Sequence, residues 1–133
     1  MISAVDTGIL LDVITDDPVH GSSSQALLEQ AYDEGALIIS DIVYAEIAPQ
    51  FDTRQELDFV LERSSIQLVG SGLDVAYLAG QKWAEYRKAG GSRTRLLPDF
   101  LVGAHAQIHA ERLLTRDRGF YRAYFSELKL LEG

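Results

Sequence analysis

The stretch ISAVDTGILLDVI, residues 2–14, decides the fold prediction because it joins two hydrophobic patterns of different period. ISAV (2–5) is a short apolar run that indicates a buried strand. TGILLDVI (7–14) has its apolar residues at helical spacing, and Thr7 is in position to cap the helix. Asp6 stands at the junction. We therefore predict a strand that ends at a carboxylate and leads directly into a helix.

The same alternation of short apolar runs and helical segments continues to the end of the chain. Such alternation is typical of parallel β-α-β units with helices packed on both faces of the sheet. We predict an α/β fold of three layers, α/β/α, with a central parallel sheet of four to five strands in which the first strand lies between the second and the fourth. The further predicted strands are ALIIS (36–40), IQLV (66–69), RLLT (112–115) and LKLL (128–131).

Polar residues at the predicted helix starts set the expected boundaries. The serines at 22–24 are in position to cap the second helix, and Ser40 or Asp41 to cap the third. In LPDFLVGAHA (97–106), Pro98 suits the first helical position, so Asp99 follows beside unpaired N–H groups and the positive end of the helix dipole. Such an acid either only stabilises the helix terminus or takes part in a site.

Length and composition narrow the class of protein. The chain has 133 residues, 47% of them hydrophobic, so we expect a single domain over 1–133 with one proper core. A net charge of −8 gives no general attraction to nucleic acid or to an anionic membrane, so any nucleic-acid chemistry must be local. The absence of cysteine excludes disulfides and thiolate catalysis. The first residues resemble neither a signal peptide nor a spanning helix, so a cytoplasmic protein without membrane contact is expected.

Four acids fall near the predicted carboxyl ends of the strands, where sites form in open parallel sheets. They are Asp6, Glu46, Asp99 and Asp117. Carboxylates crowded together repel one another unless a cation lies between them, and oxygen ligands favour Mg²⁺ or Mn²⁺. The interpretation is a metal-dependent phosphodiesterase, in which one ion activates water and a second, if present, stabilises the leaving oxygen. Thr115 either orients a ligand or caps the turn that contains Asp117.

The spaced motifs VDTGILLD, ISDIVYAEIA, LPDFLVGAHA and LLTRDRGFY resemble the PIN-domain family, and the short chain is similar to its VapC-type toxin ribonucleases. The resemblance covers essentially the whole chain. It implies that Asp6, Glu46, Asp99 and Asp117 are catalytic ligands of Mg²⁺ or Mn²⁺, with Thr115 and Thr7 supporting the site. It also implies cleavage of an RNA substrate, restraint by a VapB-like antitoxin protein, and a homodimer.

Two positions depart from the pattern of that family. Gly8 stands where many members carry Asn or Ser, which removes a side-chain hydrogen bond but no metal ligand. Gly119 stands where many carry a further acid, so the number of metal ions is left open.

Four arginines lie close to the acids in the sequence and are candidates for contacts with RNA phosphates. They are Arg93, Arg95, Arg116 and Arg118. The alternative is that they balance the carboxylates or are solvated.

Two histidines raise the question of zinc, because His105 and His109 have the i, i+4 spacing of zinc-protease helices. Ala106 stands where that motif requires a glutamate, and the pair faces away from Asp99. We therefore interpret both as partly buried or surface histidines.

Other functions remain as alternatives. A catalytically silent PIN-like module would act only by binding a partner or RNA, although all four acids are present. Receiver domains require an acidic pair near the first strand and a Lys after the fifth, whereas Lys129 lies inside the last strand. Aspartyl phosphatases require Asp-x-Asp where this chain has Asp6, Thr7 and Gly8.

Overall fold

A computed structural model, which describes residues 1–92 and 95–131, contains a five-stranded sheet. The strands are Ile2–Val5 (β1), Ala36–Ile39 (β2), Ile66–Leu68 (β3), Arg112–Leu114 (β4) and Lys129–Leu131 (β5). All neighbours are parallel in the order β3-β2-β1-β4-β5, and Ser3 of β1 is in register with Leu37 and Arg112. The predicted parallel sheet, with its first strand between the second and the fourth, is confirmed.

Helices connect every pair of successive strands. They are Thr7–Ile14 (α1), Gly21–Glu34 (α2), Asp41–Ile47 (α3), Arg54–Arg63 (α4), Gly72–Lys88 (α5), Leu97–His109 (α6) and Arg118–Tyr124 (α7), with a 3₁₀ turn at Ala48–Gln50. From β1 to β3 the chain moves toward one edge of the sheet, and from β4 to β5 it moves toward the other. Right-handed crossovers therefore lay α1–α4 on one face and α5–α7 on the opposite face, which gives the three-layer fold.

The starts of the first two helices differ from the prediction. Asp6, not Thr7, caps α1, because its carboxylate accepts the backbone N–H of Thr7 at 2.9 Å. The second helix begins at Gly21, so the serines lie inside its first turn instead of capping it. An aspartate turn explains the earlier start, since the Asp17 carboxylate accepts the N–H of His20 at 2.7 Å.

The structure decides between the two capping candidates of α3 and places the start of α6 one residue earlier than predicted. Ser40 caps α3 through the N–H of Val43 at 3.1 Å, which leaves Asp41 to accept hydrogen bonds from Ser71. Helix α6 begins at Leu97, so Asp99 lies one position deeper in the helix than predicted. The later strands are shorter by one residue than predicted, because Ser40, Val69, Thr115 and Leu128 fall outside them.

An aromatic cluster fixes α6 against α7. Phe100 is fully buried, and its ring meets Phe120 edge-on with centroids 5.1 Å apart. Phe125 packs over Gly103, where a Cβ atom would lie 2.5 Å from the phenyl ring, so only glycine fits there. The cluster thereby holds the first turns of both helices at the same end of the sheet.

Among the described residues, no helix combines the length and apolar character that a membrane-spanning segment needs.

Candidate functional site

The chain reverses its direction across the sheet between β1 and β4, which are adjacent and parallel. In open α/β sheets a crevice forms outside the carboxyl ends of two such strands. Asp6 directly follows β1, and its backbone N–H donates to the carbonyl of Leu114, the last residue of β4, at 3.0 Å. Asp117 follows β4 after two residues. The topology therefore brings two of the predicted acids to one crevice.

The crevice is an open pocket of about 400 Å³ that all four predicted carboxylates line. Its lining residues are Asp6, Thr7, Gly8, Glu46, Asp99, Val102, Arg116 and Asp117. Glu46 comes from α3 and Asp99 from the first turn of α6, so segments far apart in the sequence contribute to one pocket.

Two threonines hold Asp6 and Glu46 in place. The Thr115 hydroxyl donates to Oδ2 of Asp6 at 2.7 Å, and the Thr7 hydroxyl donates to Oε1 of Glu46 at 2.8 Å. Thr115 also accepts the backbone N–H of Asp117 at 2.9 Å. Thr115 thus caps the turn that contains Asp117, and its hydroxyl also fixes the orientation of the Asp6 carboxylate.

The other two acids have partners from the segment that precedes α6. Asp99 accepts the backbone N–H of Leu96 at 3.1 Å, as a capping residue does. Asp117 forms a bidentate ion pair with Arg95, in which Nη2 donates to Oδ1 at 2.9 Å and Nη1 donates to Oδ2. Arg95 also lies over the ring of Phe120, 4.5 Å from its centroid.

The electrostatics of the pocket single out Asp6. Burial raises the pKa of Asp6 to about 6, hydrogen bonds from Thr115 and Thr7 oppose the shift, and the charges of Asp117 and Glu46 add to it. Crowding of like charges is therefore the smaller cause, and burial is the larger one. The described contacts of Asp6 with donors involve neutral groups only.

Tyr121 belongs to the same environment, although the sequence analysis did not identify it. Burial, together with the charges of Asp6, Asp99 and Asp117, raises the pKa of Tyr121 well above its usual range. The available signal was its spacing, because Tyr121 lies in α7 four residues after Asp117 and one helical turn brings such residues together.

Beside the pocket, the carboxylate of Asp12 is paired with the guanidinium of Arg116. Asp12 accepts two hydrogen bonds from Arg116, at 2.7 and 2.9 Å, and one from Ser24 at 2.6 Å. Its side chain is only 5% exposed. Burial would raise the pKa of Asp12, but these hydrogen bonds outweigh it and the pKa is lowered. The sequence analysis did not anticipate this buried ion pair.

The predicted phosphate-binding arginines lie in different surroundings. Arg116 lines the acidic pocket while its guanidinium binds Asp12, and Arg95 binds Asp117. Arg118 lines a neighbouring pocket of about 190 Å³ together with Arg116 and His20. Arg93 lies outside the described residues.

His105 and His109 bind backbone carbonyls. Nε2 of the buried His105 lies 2.7 Å from the carbonyl of Val69, and Nε2 of His109 lies 3.4 Å from that of Ser71. Burial lowers the pKa of His105. The pair ties α6 to the loop after β3, away from the acidic pocket.

The donor set of the pocket suits a hard divalent cation, because every predicted ligand is a carboxylate and Asp6 lacks a cation of its own. Within residues 1–92 and 95–131, however, no three acidic or histidine side chains lie close enough to hold one ion together. Binding of one ion by several of these acids would therefore require side chains of the pocket to rotate, and the exposed Glu46 and the partly exposed Asp117 have room to do so.

Comparison with known proteins identifies the family. The sequence model of the PIN domain matches residues 4–126, so the chain belongs to the PIN domain family. No curated protein sequence matches the chain significantly.

Solved structures of toxin–antitoxin proteins are similar to the chain in fold. VapBC2 from Rickettsia felis, bound to a DNA fragment from its promoter, is 21% identical with a TM-score of 0.74, over 100% of this chain and 99% of that one. VapBC-1 from nontypeable Haemophilus influenzae is 17% identical, with a TM-score of 0.73 over 99% and 98% of the two chains. VapC20 from Mycobacterium tuberculosis, a toxin that cleaves the sarcin-ricin loop, is 15% identical, with a TM-score of 0.62 over 96% and 98%. The fold is therefore that of VapC-type chains.

Proposed function

We propose that the protein is a metal-dependent endoribonuclease of the VapC toxin type, which hydrolyses RNA phosphodiester bonds. The observation that carries the proposal is the pocket at the β1–β4 crevice, lined by Asp6, Glu46, Asp99 and Asp117. Asp6 is a partly buried carboxylate with a raised pKa, and its donors in the described part of the chain are neutral, so a bound cation would stabilise its ionised form. Similarity in fold to a toxin that cleaves the sarcin-ricin loop supports RNA as the substrate class.

In this proposal the four carboxylates would hold Mg²⁺ or Mn²⁺. When bound, the ion supplies positive charge that makes water more acidic and stabilises the leaving oxygen. The chain itself fixes the ligands: Thr115 and the N–H of Thr7 orient Asp6, and the N–H of Leu96 orients Asp99. Arg116 and Arg118, together with Arg93 and Arg95, are the proposed contacts to RNA phosphates and would offset repulsion from the acids.

We also propose a VapB-like antitoxin as protein partner, because an apolar groove suited to a peptide lies on the face that carries α1, α2 and α4. The groove has a volume of about 460 Å³, and its lining includes Leu10, Leu28, Ile47, Phe51 and Leu61. Exposed Leu73 and Tyr77 of α5, four residues apart on one helix face, are candidates for the proposed homodimer contact. A location in the cytoplasm agrees with these partners.

The test of the proposal is Asp99→Asn, with Asp74→Asn as the matched control. Asp74 also lies in the first turn of a helix, α5, but is exposed and outside the pocket. We expect the purified wild type to cleave single-stranded RNA with Mg²⁺ or Mn²⁺ and to stop with EDTA. Asp99→Asn should lose cleavage by at least about a hundredfold because the amide gives up ligand charge. Asp74→Asn should keep full activity.

The same variants separate the enzyme from a catalytically silent module. Growth arrest on expression, measured at equal protein level, should occur with the wild type and Asp74→Asn but not with Asp99→Asn. Equal arrest by Asp99→Asn, with no cleavage by any of the three proteins, would favour a module that acts by binding alone. Unfolding by urea checks that Asp99→Asn keeps its fold.

A further inference from the structure

Arg95 pairs with Asp117, one of the four acids that line the acidic pocket. Both of its terminal nitrogens donate to the Asp117 carboxylate, which leaves neither oxygen of Asp117 without a positive partner. The side chains of the pair are 31% and 38% exposed, so water reaches both. The two residues belong to different segments, the loop before α6 and the start of α7.

The guanidinium has a second contact that fixes its position. It lies 4.5 Å from the centroid of Phe120, and the Phe120 ring packs against the fully buried Phe100. Because that ring belongs to a rigid cluster, the guanidinium has a firm platform beside Asp117. The arrangement is thus a defined pairing and not a chance encounter of two surface side chains.

The pairing takes up one of the four acids that line the pocket. No three acidic side chains in the described part of the chain lie close enough to share an ion. Asp117 faces Arg95, and Glu46 accepts a hydrogen bond from Thr7. A cation already attached to one carboxylate reduces the attraction of the pocket for another cation.

We propose that Arg95 is a built-in competitor of the divalent ion: its guanidinium occupies both carboxylate oxygens of Asp117, and binding of the ion displaces it. The inference rests on the proposed metal-dependent function. A partly exposed ion pair contributes little free energy, so a divalent ion that gains several carboxylates can replace it. Arg95 is therefore a positioning residue that sets the metal concentration at which the site assembles.

The test is calorimetric titration of the metal-stripped protein with Mn²⁺ alone. Arg95→Gln should bind Mn²⁺ about tenfold more tightly than the wild type, since the competitor is gone. Arg95→Lys, which keeps the charge but loses the bidentate geometry, should fall between them. Arg54→Gln removes the same charge from an exposed pair with Asp58 on α4 and should leave Mn²⁺ affinity unchanged.

Each result of the titration bears on one of the two proposals. If the wild type binds Mn²⁺ and Arg95→Gln binds it equally well, the competitor is refuted and the metal-dependent function stands. If neither protein binds Mn²⁺, the metal-dependent function fails and the competitor fails with it. If Arg95→Gln and Arg54→Gln both bound Mn²⁺ more tightly, the loss of one positive charge would account for the effect. That result would overturn the role of Arg95.

A second measurement follows Arg95 directly. The Nη–Hη NMR signals of Arg95, whose two terminal nitrogens donate to Asp117, should move to the position of a solvated arginine as Mg²⁺ saturates the wild type. A signal that stays unchanged at saturation would show that the pair persists beside the ion, and it would overturn the displacement. Urea unfolding of Arg95→Gln confirms that the compared proteins are folded.

Discussion

Asp6 and Asp12 lie at opposite ends of α1, and their surroundings shift their pKa values in opposite directions. Asp6 caps the start of the helix and receives hydrogen bonds only from neutral groups, so burial prevails and raises its pKa to about 6. Asp12 lies in the last turn and is buried too, but Arg116 and Ser24 more than compensate, and its pKa is lowered. One carboxylate has its cation within the chain, and in our proposal the other takes its cation from outside. Removing or altering the partner of either acid should make the difference measurable.

The largest effect is expected at the internally paired acid. Arg116→Gln would leave the Asp12 carboxylate buried without its cation, which should lower the free energy of unfolding by about 4 kcal/mol. Urea denaturation measures the change. The double variant Asp12→Asn with Arg116→Gln should recover part of the loss, because the uncompensated charge is then absent. Equal stability of Arg116→Gln and the wild type would mean that Asp12 does not depend on its ion pair.

The next effect is a pH dependence that comes from Asp6. Because its folded pKa lies above its unfolded value, the folded state binds more protons between these two values, and stability falls as pH rises through this window. From about pH 4 to pH 7 the metal-free protein should lose up to about 3 kcal/mol of unfolding free energy through Asp6. The pKa of Asp12 is lowered in the folded state, so its effect on stability changes with pH in the opposite direction. Its stabilising contribution is lost only at more acidic pH.

Urea denaturation in EDTA across this pH range, on the wild type and on Asp6→Asn, isolates the contribution of Asp6. The amide does not titrate, so Asp6→Asn should have a flatter profile and exceed the wild type in stability near pH 7. Parallel profiles for the two proteins would contradict the raised pKa of Asp6.

The smallest effect concerns the neutral partner of Asp6. Thr115→Val removes the hydroxyl that donates at 2.7 Å, so the pKa of Asp6 should rise further, by about one unit. Thr115→Ser keeps the hydroxyl and should leave the pKa close to that of the wild type. NMR titration of the Asp6 carboxyl group measures its pKa in the wild type and in both variants. If the pKa of Asp6 were unchanged in Thr115→Val, the hydroxyl would not be a cause of its value.

The sheet and the convergence of the acids could be predicted because both depend on short-range patterns. Apolar runs gave the strands, and the position of each acid after a strand or in a helix start led to the pocket that Asp6, Glu46, Asp99 and Asp117 line. The residue that caps a helix is harder to predict, since Asp6 and Thr7 are both capable of it and only the backbone angles decide.

Pairings between distant segments could not be predicted from one sequence. Arg116 and Asp12 are 104 positions apart, and Arg95 and Asp117 are 22 apart, so no periodicity connects them. The alternative that the arginines balance carboxylates holds for Arg116, but its sequence position beside Asp117 gave no sign that Asp12 is its partner. The composition indicates that the acids need positively charged partners, but only the folded structure shows which arginine pairs with which acid.

The position of β4 in the sheet has a consequence for synthesis of the protein. This strand pairs directly with the central β1, yet β2 and β3 come between the two strands in the sequence, and Asp117 follows β4. A ribosome therefore releases Asp6, Glu46 and Asp99 before the strand that completes the crevice. During translation the four acids cannot all line one pocket until β4 and Asp117 have left the ribosome.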